Sequence, residues 1–96
     1  MIMLNEPVPD WPTTVDEAVD RTLAALTEAE KAEIRKTPAA DLDLLHFGLG
    51  VRIRNECGLW SGNTPLLAAC GSPDMHPDSA SAVIVQAVRQ RLVAMG

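Results

Sequence analysis

From Pro38 to about Glu56–Cys57 the chain keeps one helical spacing, and its apolar residues fall on two nearly opposite sides. Leu42, Leu45, Leu49 and Ile53 make one face, and Leu44, Phe47 and Val51 make the other. A helix that is apolar on two sides has to be covered on two sides, so the rest of the chain is expected to pack around it. Thr37 supplies an N-cap, Pro38 suits the first helical position, and Gly58 provides the stop.

The flanking sequence supplies the covering helices. Thr14 with Glu17 reads as a capping box, and Val15, Ala18, Val19, Thr22, Leu23 and Leu26 follow on one face. Thr27 with Glu30 is a second box and opens a short helix over about 28–36, with Arg35 and Lys36 at its basic end. Asn63 or Thr64, ahead of Pro65, starts another short helix that Gly71 closes. Asp78 is the expected cap of a last helix carrying Ala80, Val83, Ile84, Ala87, Val88, Leu92 and Met95 on one stripe.

No stretch alternates as a strand would, and there is no internal repeat. The expectation is an all-α fold: a compact single-domain bundle of about five helices with a central buried helix, spanning residues 13–96. Pro7, Pro9 and Pro12 keep residues 1–12 out of any helix and make them an extended N-terminal arm, with Trp11 as its anchor on the body.

Aromatic residues are 3% and there is no Tyr, so the core must come from Leu, Val, Ile and Ala, which suits close helix packing. Net charge is −5, unevenly placed: ten acids against four bases in residues 1–50, three against four in 51–96. That balance argues against nucleic acid, which needs a basic stripe, and admits a protein partner that is basic or neutral. Cys57 and Cys70 lie 13 residues apart without a CxxC or a histidine cluster, so no metal site is expected and both should be free thiols. No run approaches a membrane span and no leader pattern opens the chain, so the expected location is cytoplasmic, with no membrane partner.

Rare side chains gather between His46 and Trp60. Gly48 and Gly50 each cost a helix about 1 kcal/mol relative to Ala, so something should compensate. Close approach of neighbouring helix backbone is the favoured reading; backbone offered to a ligand, or a kink, is the other. This GxG is not a nucleotide loop, because no strand precedes it. Arg52 has Glu56 at i+4, a weak pairing in that order. Arg54 has glycines on both sides at that spacing. It is therefore solvated, bound to an acid or a helix terminus elsewhere, or set for an anionic ligand. His46 and Cys57 are about 16 Å apart along a helix, too far to form a dyad. No catalytic residues and no cofactor are expected. The candidate ligand- or partner-binding residues are His46, Arg54, Asn55 and Trp60.

Several motifs together carry a resemblance. These are W-P-x-T-x-x-E-A-V from Trp11, T-P-x-x-D-L from Thr37, and H-F-G-L-G-x-x-I-R-N-x-x-G-L-W from His46. N-x-x-L-L-x-x-C-G from Asn63 and P-D-x-A-S-x-V-I from Pro77 follow. The chain resembles, over roughly residues 9–93, a bacterial domain-of-unknown-function family, domain of unknown function 6794. It departs at Cys57, where an aromatic is usual, and at Ser79, where a second Asp is usual. The resemblance implies no activity.

The functional expectation is a non-enzymatic cytoplasmic protein-interaction module, with an immunity or antitoxin-like protein as its specific form. The alternative is a small anionic-ligand-binding domain or enzyme using the His46–Trp60 segment. A third reading is a purely structural homodimer unit.

Overall fold

The computed structural model describes residues 11–95, apart from the side chains of His46 and Phe47. Of the expected arm, residues 1–10 therefore lie outside the described residues. The described residues form five α-helices and no strand: α1 Val15–Ala25, α2 Glu28–Lys36, α3 Val51–Glu56, α4 Thr64–Cys70 and α5 Pro77–Met95. Between α2 and α3 run a 3₁₀ segment, Ala39–Leu45, and one turn of π-helix, His46–Gly50; a short 3₁₀ turn, Leu59–Ser61, precedes α4. The chain is a compact all-α domain.

Local chemistry places the helix starts. Thr14 caps α1 by accepting from the Glu17 N–H at 3.1 Å. Glu17 returns its carboxylate to the Thr13 N–H at 2.8 Å, one residue earlier than a full capping box requires. At α2 the box is complete: Thr27 accepts from the Glu30 N–H, and Glu30 accepts from the Thr27 N–H at 2.8 Å. At α5 the expected cap shifts by two residues. The helix begins at Pro77, and the ring Nδ1 of His76, not Asp78, accepts the Asp78 N–H at 3.0 Å.

The helix that gathers the others is α5. It packs against α1, α2, α3, α4 and all three irregular segments. Its Ala80, Ile84, Val85, Val88 and Leu92 are buried among Val19, Leu26, Ile34, Leu49, Ile53, Leu59 and Leu66. Polar groups fasten the same joints. Arg91 pairs with Asp20 of α1 at 2.8 Å. Arg89 donates to the carbonyl of Thr37 behind α2 at 2.7 Å, and Arg35 donates to the carbonyl of Leu92 at 3.3 Å.

The 38–57 stretch is not sandwiched in the way its spacing suggests. Leu49 and Ile53 are buried as expected, and Leu42 and Leu45 pack half-buried against the core. The second face differs: Leu44 is 73% exposed and Val51 only half-buried, while the Phe47 side chain lies outside the described residues. The cause is helical type. In a 3₁₀ turn, residues three apart eclipse, so Leu42 and Leu45 align on the core and Leu44 is turned outward.

Candidate functional site

Arg54 comes from the last turn of α3 and is 5% exposed. Its Nε stands 3.4 Å from Oδ1 of Asp78, and its Nη1 donates to Ser81 Oγ at 2.8 Å. Ser81 in turn donates to the Asp78 carbonyl at 2.9 Å. A lone cation would be unfavourable at the start of α5, because the helix dipole is positive there; the Asp78 carboxylate between them reverses that balance. Of the options its sequence left open, Arg54 takes the acid on another helix.

Gly50 makes the arrangement fit. A Cβ placed there would stand 3.0 Å from Arg54 Nη1 and 3.5 Å from the Leu45 carbonyl. The expected neighbour was the backbone of another helix; the observed one is a side chain four residues on. Gly48 departs further, since it is exposed and a Cβ there would meet nothing within 4 Å.

The other candidates do not gather around Arg54. Asn55 is exposed. Trp60 is 57% exposed and meets the His76 ring edge-on, with centroids 5.4 Å apart at 87°. The His46 side chain lies outside the described residues. Arg52 pairs with Glu30 of α2 at 3.0 Å rather than with Glu56. Glu30 thereby serves two roles. The Thr27 N–H, and after it Arg52, hold its carboxyl below the ordinary range.

Asn63 is the residue that sequence reasoning undervalued. It caps α4 by accepting from the Leu66 N–H at 3.3 Å. Its buried amide also donates to the carbonyls of Pro12 at 2.8 Å and Cys57 at 2.7 Å. One side chain thus ties Pro12, 51 residues away in sequence, to the end of α3 and the start of α4. Trp11 completes the joint: Gly58 has a left-handed φ of 70°, and a Cβ there would collide with the indole of Trp11. Trp11 is the anchor its sequence context suggests.

A groove opens on the other side of the π turn. Its volume is about 520 Å³, and it is lined by Leu26, Glu30, Glu33, Ile34, Leu45, Gly48, Leu49, Val51 and Arg52. A second groove, of about 450 Å³, is polar and lies over Trp11, Thr13, Glu17, Asp20 and Arg21. Neither is lined by Arg54, Asn55 or Trp60. Cys57 and Cys70 are free, and burial pushes both thiols up, Cys57 to about 11. Among the described residues no helix is long and apolar enough to cross a membrane, and no group of three or more His, Cys, Asp and Glu could hold a metal ion.

The sequence profile of the family described as Domain of unknown function (DUF6794) matches residues 11–92, and the chain belongs to that family. No curated protein and no solved structure matches it.

Proposed function

We propose that this member of the family is a non-enzymatic, cytoplasmic protein-interaction module that presents an acidic surface to a basic partner, as an immunity or antitoxin protein does. One observation carries the reading. The helices α1 and α2 and the 3₁₀ segment leave Asp16, Glu17, Asp20, Glu28, Glu33, Asp41 and Asp43 exposed along the acidic half of the chain. A surface of that sign speeds encounter with a basic protein and repels nucleic acid, and both effects weaken as salt rises. The anionic-ligand alternative draws less support, because the guanidinium of Arg54 is already engaged with Asp78 and Ser81.

The test is affinity capture from the native host, followed by association kinetics of the captured protein across a salt series. A basic partner whose on-rate falls with salt and with the exposed charge reversals Asp41→Lys and Asp43→Lys is expected. An acidic partner, or a salt-dependent nucleic-acid complex, contradicts the reading.

A further inference from the structure

The groove beside the π turn combines an apolar floor with an acidic rim. Leu26 and Ile34 form one wall, and Leu45, Leu49 and Val51 form the other. Gly48 lies between them and, having no side chain, leaves its stretch of the wall open. Glu30 and Glu33 stand on the rim from α2, one helical turn apart. Among the described lining residues the one cation, Arg52, is paired with Glu30 at 3.0 Å. Of the three bases of α2, Lys31 pairs with Glu28 at 3.2 Å and Arg35 reaches the Leu92 carbonyl, while Lys36 is exposed and does not line the groove. Leu44, 73% exposed, follows directly in the 3₁₀ segment between the exposed Asp41 and Asp43 and Leu45 of the groove wall.

We infer that this groove is the docking site for an amphipathic helix of the partner, with an apolar stripe flanked by Lys or Arg. The inference rests on the reading of the domain as an interaction module for a basic protein. A groove of this volume takes the apolar side chains of about two helical turns, spaced i, i+3/i+4 and i+7. Each half of the site has its use for such a helix. The floor removes the stripe from water, and Glu33 with the neighbouring acids meets the flanking cations. A small apolar ligand would use the floor and leave the acidic rim without a role.

The experiment uses the full chain, ¹⁵N-labelled, with a synthetic Leu/Lys amphipathic helical peptide and its Leu/Glu counterpart. Amide shifts on adding the Leu/Lys peptide are expected at residues 26–34 and 45–52, with the Leu/Glu peptide binding about tenfold or more weakly. Gly48→Phe fills the groove from a position where a side chain meets open space, so it should keep the thermal stability of the parent. It should lower Leu/Lys affinity by about tenfold or more. Glu33→Lys should weaken the Leu/Lys peptide and spare a neutral peptide of the same stripe.

Absence of Leu/Lys binding, or full affinity in Gly48→Phe with its fold intact, overturns the groove. Shifts confined to Asp16 and Asp20 of α1 overturn it too, yet leave the acidic-surface reading standing. Equal binding of the two peptides removes the basic-helix partner. A native partner that proves acidic removes the functional reading itself, whatever the peptides do.

Discussion

The guanidinium of Arg54 lies over Gly50, with Nη1 only 3.0 Å from where a Gly50 Cβ would stand. The glycine is therefore tied to an ion pair rather than to helix flexibility, and the two glycines of the run should respond oppositely to alanine. Gly48→Ala meets open space and should stabilise the protein by up to about 1 kcal/mol through helix propensity. Gly50→Ala should lose that gain by crowding Arg54, and Gly50→Leu should cost more than about 2 kcal/mol by overpacking a buried site. Urea melts of the three variants decide this; a stabilised Gly50→Ala would show that the guanidinium moves aside freely.

Asn63 should be among the most sensitive polar positions. Asn63→Ala leaves the Pro12 and Cys57 carbonyls and the Leu66 N–H without their partner, and should cost about 2–3 kcal/mol. Asn63→Asp keeps the cap acceptor but sets a carboxylate against two carbonyls. It should be at least as destabilising as Ala at neutral pH and recover on acidification, when the protonated acid can donate again. Thermal melts of both variants at two pH values test the pair; an Asp variant insensitive to pH would mean that the two donated bonds matter little.

The starts of α1, α2 and α4 were legible because each rests on a local rule written in three or four residues: Thr14 and Glu17, Thr27 and Glu30, Asn63 and Pro65. Gly58 was legible for the same reason, since only a left-handed residue ends α3 there. By contrast, α5 starts at Pro77, ahead of the expected Asp78 cap, and the signal at Thr37 and Pro38 is followed by a 3₁₀ segment, with α3 starting only at Val51. What could not be read from spacing was helical type. A wheel drawn at one angle per residue treats 38–57 as a uniform rod, whereas the chain runs through 3₁₀, π and α geometry in turn, which moves Leu44 off the expected face. Long-range polar partners were equally out of reach. Arg54 finds Asp78 and Arg52 finds Glu30 across loops whose course no periodicity specifies. The groove was missed because its walls, Leu26 and Ile34 against Leu45 and Val51, read separately as ordinary core positions.

Glu17 and Glu30 should shape the acid limb of stability. The N–H of Thr13 holds Glu17, and the N–H of Thr27 holds Glu30, below the ordinary carboxylate range. A carboxyl depressed in the folded state stabilises the fold above its unfolded pKa, and that contribution is lost as pH falls through the folded pKa. Melting temperature should therefore drop on acidification below about pH 4.5, the unperturbed value. The double variant Glu17→Gln, Glu30→Gln should show a shallower drop over the same window. An unchanged acid limb in that variant would place the acid sensitivity elsewhere.

The thiols give the opposite window. Burial raises Cys57 to about 11 and also raises Cys70. At pH 8 only about one Cys57 in a thousand is thiolate, and the thiolate is the reactive form. Native protein should therefore react slowly with a thiol-specific disulfide reagent. Cys70, only half-buried, should react first, and both should react at once in denaturant. An acid whose pKa is raised by folding stabilises the fold below its unfolded value and loses that contribution as pH climbs through the folded one. Stability should thus decline between pH 9.0 and about 11. Cys57→Ala should be less stable at pH 7 from the lost packing, yet show a flatter alkaline limb. Rapid labelling of Cys57 in the native state, confirmed by mass spectrometry of the modified peptide, would show that the core around α3 opens to solvent far more readily than its packing implies.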